Sequence, residues 1–152
     1  MAHEFKQTRR VEFADTDMAG IMHFSNFFRF MEQTEHEFYR SLGLSVHPHA
    51  GKQVIGWPRV HAACEYAAPL RFEDNVEIEL VVREKRSKSI IYDFIFRKLD
   101  GADSTAVARG TMTVVCVTFD RETRTMKATT IPRAYAEKIH AAPKKNPSKE
   151  NQ

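Results

Sequence analysis

Asp15 and Asp17 stand two positions apart in the segment VEFADTDMAGIMHFSNFFRFM, which spans residues 11–31. An apolar run lies before them, Ala19 and Gly20 follow, and an aromatic stretch begins near Ser25. A carboxylate at the end of a strand, followed by a helix start, sets a base or nucleophile beside backbone N–H groups that have no intrahelical acceptor. That pairing suits acyl transfer, in which negative charge develops on a carbonyl oxygen. Read by themselves, both aspartates are also good turn residues, because Asp accepts hydrogen bonds from nearby backbone. Asp15 is read as such a loop cap.

Other chemistry-bearing residues give weaker patterns. There is no Gly-x-Ser-x-Gly elbow, which argues against an α/β-hydrolase. Cys64 and Cys116 sit inside hydrophobic runs and not at ligand spacings, so no structural zinc and a reducing compartment are expected. His47 and His49 flank Pro48 without a neighbouring carboxylate, which makes a poor metal tract, and His61 reads as solvent-facing or satisfied. The run Arg83, Glu84, Lys85, Arg86, Ser87, Lys88, Ser89 is basic enough to meet phosphate oxygens or simply to be a solvated hairpin.

The elements that must position these groups follow from periodicity. Phe27, Met31, Thr34, Phe38 and Leu42 recur at helical spacing, which predicts a helix over 25–42 with Ser25 as its cap and Gly43 just past its end. Phe24, Phe27, Phe28, Phe30 and Met31 make its first turns apolar nearly all round, so the helix should be enclosed, with Glu32 and Glu35 on a polar side. Beyond Gly56 the period becomes two. Val76, Ile78, Leu80 and Val82 form one half-buried strand, and Ile90, Tyr92, Phe94 and Phe96 a second, joined by a basic loop over 85–88. A turn at Leu99, Asp100 and Gly101 leads into a long β-rich run over 105–119 with Gly110 as its bulge, and 60–66 and 11–13 supply further strands. One long helix followed by consecutive strands is an α+β order, with an antiparallel sheet curling round the helix.

Composition bounds the rest. The chain has 152 residues, 42% hydrophobic and 28% charged, which fits a single domain over 1–140 and a polar tail over 141–152. A formal charge of +3, with aromatics at core-like positions, points away from nucleic acid. No apolar run approaches the ~20 residues that a membrane span requires, and the N-terminus lacks a signal-like stretch, so a cytoplasmic address is expected.

Phe13, Asp15, Thr16, Asp17, Ala19, Gly20 and Ile21, followed by Asn26, Phe27 and Arg29, resemble the N-terminal signature of the hotdog-fold acyl-CoA thioesterases of the 4-hydroxybenzoyl-CoA thioesterase and YbgC-like type. The resemblance continues more loosely to about Phe119. It implies a long helix wrapped by a curved antiparallel sheet of about five strands. It also implies a homodimer or dimer of dimers with active sites at the interface, and hydrolysis of an acyl-CoA without metal or organic cofactor. Carried onto this sequence, Asp17 becomes the nucleophile or general base and the backbone N–H of Phe24 the oxyanion donor. His23 and Phe27 become candidates for the pocket, and Arg86, Ser87 and Lys88 match the coenzyme A nucleotide contacts. YbgC-like relatives carry a histidine at the position of Phe24, whereas this chain has His23 one residue earlier. A thioesterase acting on acyl-carrier protein, or a non-catalytic acyl-CoA-binding or sensing module, would keep the same motif.

Overall fold

The computed structural model describes residues 2–48 and 53–144. His49 and the tail from Lys145 to Gln152 lie outside these residues. The elements run β1 (Glu4–Arg10), α1 (Phe24–Ser41), β2 (Gln53–Gly56), β3 (Arg59–Tyr66), β4 (Asn75–Lys85), β5 (Ser89–Asp100), β6 (Asp103–Val115), β7 (Val117–Asp120), β8 (Thr125–Ala128) and α2 (Arg133–Ala136). A five-stranded antiparallel sheet has the order β1-β4-β5-β6-β3, and a three-stranded sheet has the order β2-β7-β8.

The alternation read in the sequence places Val76, Ile78, Leu80 and Val82 of β4 and Ile90, Tyr92, Phe94 and Phe96 of β5 on the inner face, all buried. Phe27, Phe30, Met31, Phe38 and Tyr39 of α1 pack against that face. The helix is covered on this side alone. Phe24 remains 63% exposed, and Arg29, Glu32 and Arg40 face outward, so the expectation of an enclosed helix holds for one face only. Gly110 in β6 leaves room for the Met31 thioether of the helix, whose sulfur would lie 2.6 Å from a Cβ at that position.

Several local expectations change. Residues 11–13 are not a strand: β1 ends at Arg10 and Phe13–Asp15 is a 3-10 turn. The bulge of β6 falls at Val107, because the register moves from Phe96↔Ala108 to Arg97↔Ala106, while Gly110 pairs regularly with Phe94 and Cys64. The long run over 105–119 is broken at buried Cys116, where the chain leaves the large sheet and enters the small one. Gly43 does end the helix in the left-handed region, at φ +70°, where a residue without a Cβ is favoured. Beyond α2 the backbone remains tied in place, since His140 N–H donates to Ala2 O at 2.9 Å and Ala142 N–H to Val82 O at 2.8 Å.

Glu35 is not on a polar side. Its side chain is fully buried, one carboxylate oxygen accepts from Arg59 at 2.9 Å, and the other has no partner among the described residues. Burial outweighs the guanidinium and raises this carboxyl from its ordinary value of 4.5 to about 7. Between those values the folded protein holds the proton and the unfolded chain does not, so stability falls as pH rises through that window. Glu35→Gln, which mimics the protonated form, should therefore gain on the parent by roughly 2 kcal/mol between pH 5 and pH 8. Urea unfolding of both proteins across that range checks this; a constant gap would mean that burial does not raise Glu35.

Candidate active site

The segment between β1 and α1 is built from main-chain and carboxylate hydrogen bonds. Val11 N–H donates to Asp74 O at 2.8 Å, and Asp15 accepts from Glu12 N–H through Oδ2 at 2.9 Å. The Asp15 carbonyl accepts twice, from His23 N–H at 2.8 Å and from the buried Asn26 amide at 2.7 Å. The Asp15 side chain thus caps the loop, as expected of it, while its carbonyl ties the loop to the start of the helix.

Asp17 opens a tight turn. Its carbonyl accepts from Gly20 N–H at 3.0 Å, its N–H donates to Ile21 O at 2.9 Å, and Oδ1 accepts from Ala19 N–H at 2.8 Å. Gly20 has φ +77°, a conformation that a side chain would strain. These bonds hold one carboxylate oxygen and leave Oδ2 unpaired among the described residues. The chain then crosses the sheet end through Met22 N–H to Leu70 O at 2.7 Å and enters α1.

The helix begins one residue before the expected position, and its cap is His23, not Ser25. His23 Nδ1 accepts from Ser25 N–H at 3.2 Å and pairs with Ser25 Oγ at 2.7 Å, while the ring stacks on Phe24 at 4.7 Å. The His23 carbonyl accepts from Asn26 N–H at 2.9 Å. Phe24 N–H, the first of the helix, has no acceptor among the described residues, as the geometry of a helix start dictates. The Tyr66 hydroxyl donates to Phe24 O at 3.1 Å, joining the end of β3 to this turn. Burial pushes that hydroxyl up to about 12, so it stays a donor.

Asp17 and Phe24 border one cleft of about 450 Å³, completed by Ile21, Met22, Phe27, Tyr66, Ala67, Ala68 and Pro69. A second, more open depression of about 560 Å³ lies on the other side of Asp17, between Phe13, Thr16, Met18, Gly20 and Phe72. The wall over 66–69 is absent from the sequence reading. It forms because the Val107 bulge presents one carbonyl to two donors, Ala67 N–H at 2.8 Å and Ala68 N–H at 3.1 Å, which turns the chain out of β3. The Tyr-Ala-Ala-Pro sequence after a strand was its only local signal.

Asp17, Phe24 and Phe27 are thus brought together, and His23 adjoins them without lining the cleft. Arg86, Ser87 and Lys88 are not brought to it within one chain. They form the β4–β5 hairpin, at the far end of β4 from the loop, about 33 Å away at the rise of a strand. There Arg86 is paired with Glu84 at 2.7 Å, and the Ser87 and Lys88 carbonyls accept from Ile131 and Cys116.

Residues 11–139 match the family model described as the thioesterase-like superfamily. The chain is similar to a 4-hydroxybenzoyl-CoA thioesterase of a Pseudomonas strain, with 26% identity across 90% of this chain and 98% of that protein. It is also similar to the acyl-CoA thioester hydrolase YbgC of Escherichia coli, with 27% identity across 74% of this chain and 81% of that one. The fold superimposes on a crystal structure of a mutant 4-hydroxybenzoyl CoA thioesterase complexed with 4-hydroxybenzoyl CoA, with a TM-score of 0.77, 23% identity, and coverage of 90% and 98% of the two chains.

His23 generates a prediction independent of any activity. Loss of a helix cap costs about 1 kcal/mol, and Asn is among the best replacements. His23→Ala should lower the unfolding free energy by about that amount and His23→Asn should restore most of it. Urea denaturation checks this; equal stability of His23→Ala and the parent would remove the cap from the account.

Proposed function

The chain belongs to the thioesterase-like superfamily, and from that membership we propose that it hydrolyses an acyl-CoA thioester to the free acid and coenzyme A. The observation that carries this reading is the shared cleft: a carboxylate with one free oxygen and an unpaired helix-start N–H border the same apolar space. Two routes use these groups. In one, Asp17 attacks the thioester carbonyl, the C–S bond breaks, coenzyme A leaves as the thiolate, and water hydrolyses the mixed anhydride. In the other, Asp17 takes a proton from water as the water oxygen attacks, and the tetrahedral intermediate collapses to acid and thiol. In both, negative charge grows on the carbonyl oxygen, and Phe24 N–H is the donor that meets it.

A homodimer completes this reading. β3 is an edge strand of the large sheet, and Val60, His61, Ala62 and Tyr66 along it are exposed. An exposed edge invites pairing with a second copy. If two β3 edges pair antiparallel, the basic hairpin of each protomer comes to the end of the assembly where the other's Asp17 lies. Arg86, Ser87 and Lys88 then meet the nucleotide phosphates from the partner.

Asp17→Asn should keep the fold, because the Asn carbonyl oxygen can still accept from Ala19, and lose between about a hundredfold and ten thousandfold in kcat. A near-parent rate, measured by thiol release over a panel of acyl-CoA esters, would refute the role of Asp17. Replacing Arg86 and Lys88 together by Ala should raise KM for acyl-CoA, leave kcat close to the parent, and leave hydrolysis of an acyl-pantetheine thioester unchanged. Equal impairment on both substrates would instead assign the hairpin to subunit packing or stability.

A further inference from the structure

Asp17 and Phe24 N–H sit at opposite ends of one short hairpin. His23 N–H donates to Asp15 O at 2.8 Å, Thr16 and Met22 pair as an antiparallel bridge, and Asp17 N–H donates to Ile21 O at 2.9 Å. Asp17 opens the turn at the tip, and Phe24 follows directly on the base. A hairpin this short is marginal by itself, whereas α1 is seated on the sheet by its apolar face. The two would move relative to one another unless something joined them.

Asn26 supplies the join. It lies in the first turn of α1, 9% exposed, and its side-chain amide donates to Asp15 O at 2.7 Å. Among the described residues this is the only side-chain hydrogen bond between α1 and the segment over 11–22. Its main-chain N–H donates to His23 O at 2.9 Å. Because a peptide unit is planar, fixing the His23 carbonyl also fixes the direction of Phe24 N–H across the same unit. One residue therefore holds the helix-start donor through its main chain and the hairpin of the carboxylate through its side chain. Helix formation does not account for an Asn here, since its propensity is poor and a buried amide is costly unless bonded.

Building on the reading that Asp17 and Phe24 N–H form the reaction centre, we propose that Asn26 is a positioning residue for that reaction, holding the hairpin that carries Asp17 in register with the helix that carries the donor. Asn26 does not line the cleft, so its effect falls on the alignment of the reacting groups and not on substrate binding. Misplacement of such groups by about 1 Å costs on the order of a hundredfold in rate.

Asn26→Leu keeps the branched shape of the side chain and removes the donor. It should lower kcat for acyl-CoA by between about tenfold and a hundredfold, with KM and the Kd of the unhydrolysable S-hexyl-CoA within about threefold of the parent. Added to Asp17→Asn, it should cost less than about threefold more, because the alignment it disturbs no longer serves a working carboxylate. Hydrogen exchange gives a readout without turnover: the amides of Asp17, Gly20 and His23 should exchange at least about tenfold faster, while those of β4 and β5 keep the parent rate. Asn26→Ser, whose hydroxyl is too short to reach Asp15 O, should repeat the pattern and serves if Asn26→Leu does not fold. A parent-like kcat, equal losses in kcat and in S-hexyl-CoA affinity, full additivity with Asp17→Asn, or unchanged loop exchange would each overturn the inference. A near-parent rate in Asp17→Asn alone would sink the reaction centre and this inference with it, whereas a slow Asp17→Asn beside a fast Asn26→Leu would sink the inference only.

Discussion

Phe27, Phe30, Met31, Phe38 and Tyr39 must leave water together, because they share one side of a single helix, and the inner face of β4, β5 and β6 is the surface that receives them. Burying five side chains of this size is worth roughly 1.5–3 kcal/mol each, together more than the few hydrogen bonds of the loop before the helix supply. The position of α1 on the sheet is therefore set by packing, and the loop conforms to it. Gly110 permits the approach, since only hydrogen stands where the Met31 sulfur needs room. Once the helix is seated, its first N–H has one place to be, at the sheet end where Met22 bonds to Leu70 and Tyr66 reaches Phe24.

Polar groups then refine what packing has placed. Asn26 is buried at the head of the helix, and its amide bonds to Asp15 O, so the loop that carries Asp17 cannot move independently of the helix that carries Phe24 N–H. Farther along, Glu35 and Arg59 tie the middle of α1 to the start of β3, the strand whose other end provides Tyr66 and the cleft wall. The first tie joins uncharged groups. The second costs the desolvation of a carboxylate, which is why Glu35 favours its proton. The start and the middle of the helix are thus held by interactions of different kinds, and the start, which carries Phe24 N–H, has the one between uncharged groups.

What was legible in the sequence was what repeats. Alternation in β4 and β5 and the three-to-four spacing from Phe27 to Phe38 report burial directly, so those elements, their faces and the hotdog arrangement followed from pattern and resemblance. That Asp17 and Phe24 come to one cleft was legible because the two lie only seven positions apart, across one loop. Most of what failed was non-local. Glu35 reads as polar by type, and only the arrival of Arg59 from β3 makes its burial tolerable. The bulge falls at Val107 and not at Gly110 because the former must turn β3 outward through Ala67 and Ala68, a demand made by a different strand. His23 displaced Ser25 as the cap because an imidazole nitrogen serves as an acceptor as well as an oxygen does, a role that residue-type preference gives to Ser.

The same reasoning explains why the cleft sits open in one chain. Its inner wall belongs to the core and its floor to the loop, but Phe24 at 63% and Tyr66 at 45% exposure are large aromatics left on its rim next to the unpaired edge of β3. A thioester bound there would lie against water on that side, where the attraction between a developing oxyanion and a single N–H is weak. Excluding water strengthens that attraction several-fold, and the surface best placed to exclude it is one that pairs with β3, since its backbone groups are already aligned to receive another strand. On the proposed reading, the edge that ends the sheet is also the edge at which the cleft would gain a further wall, and assembly and hydrolysis would be coupled through the same strand.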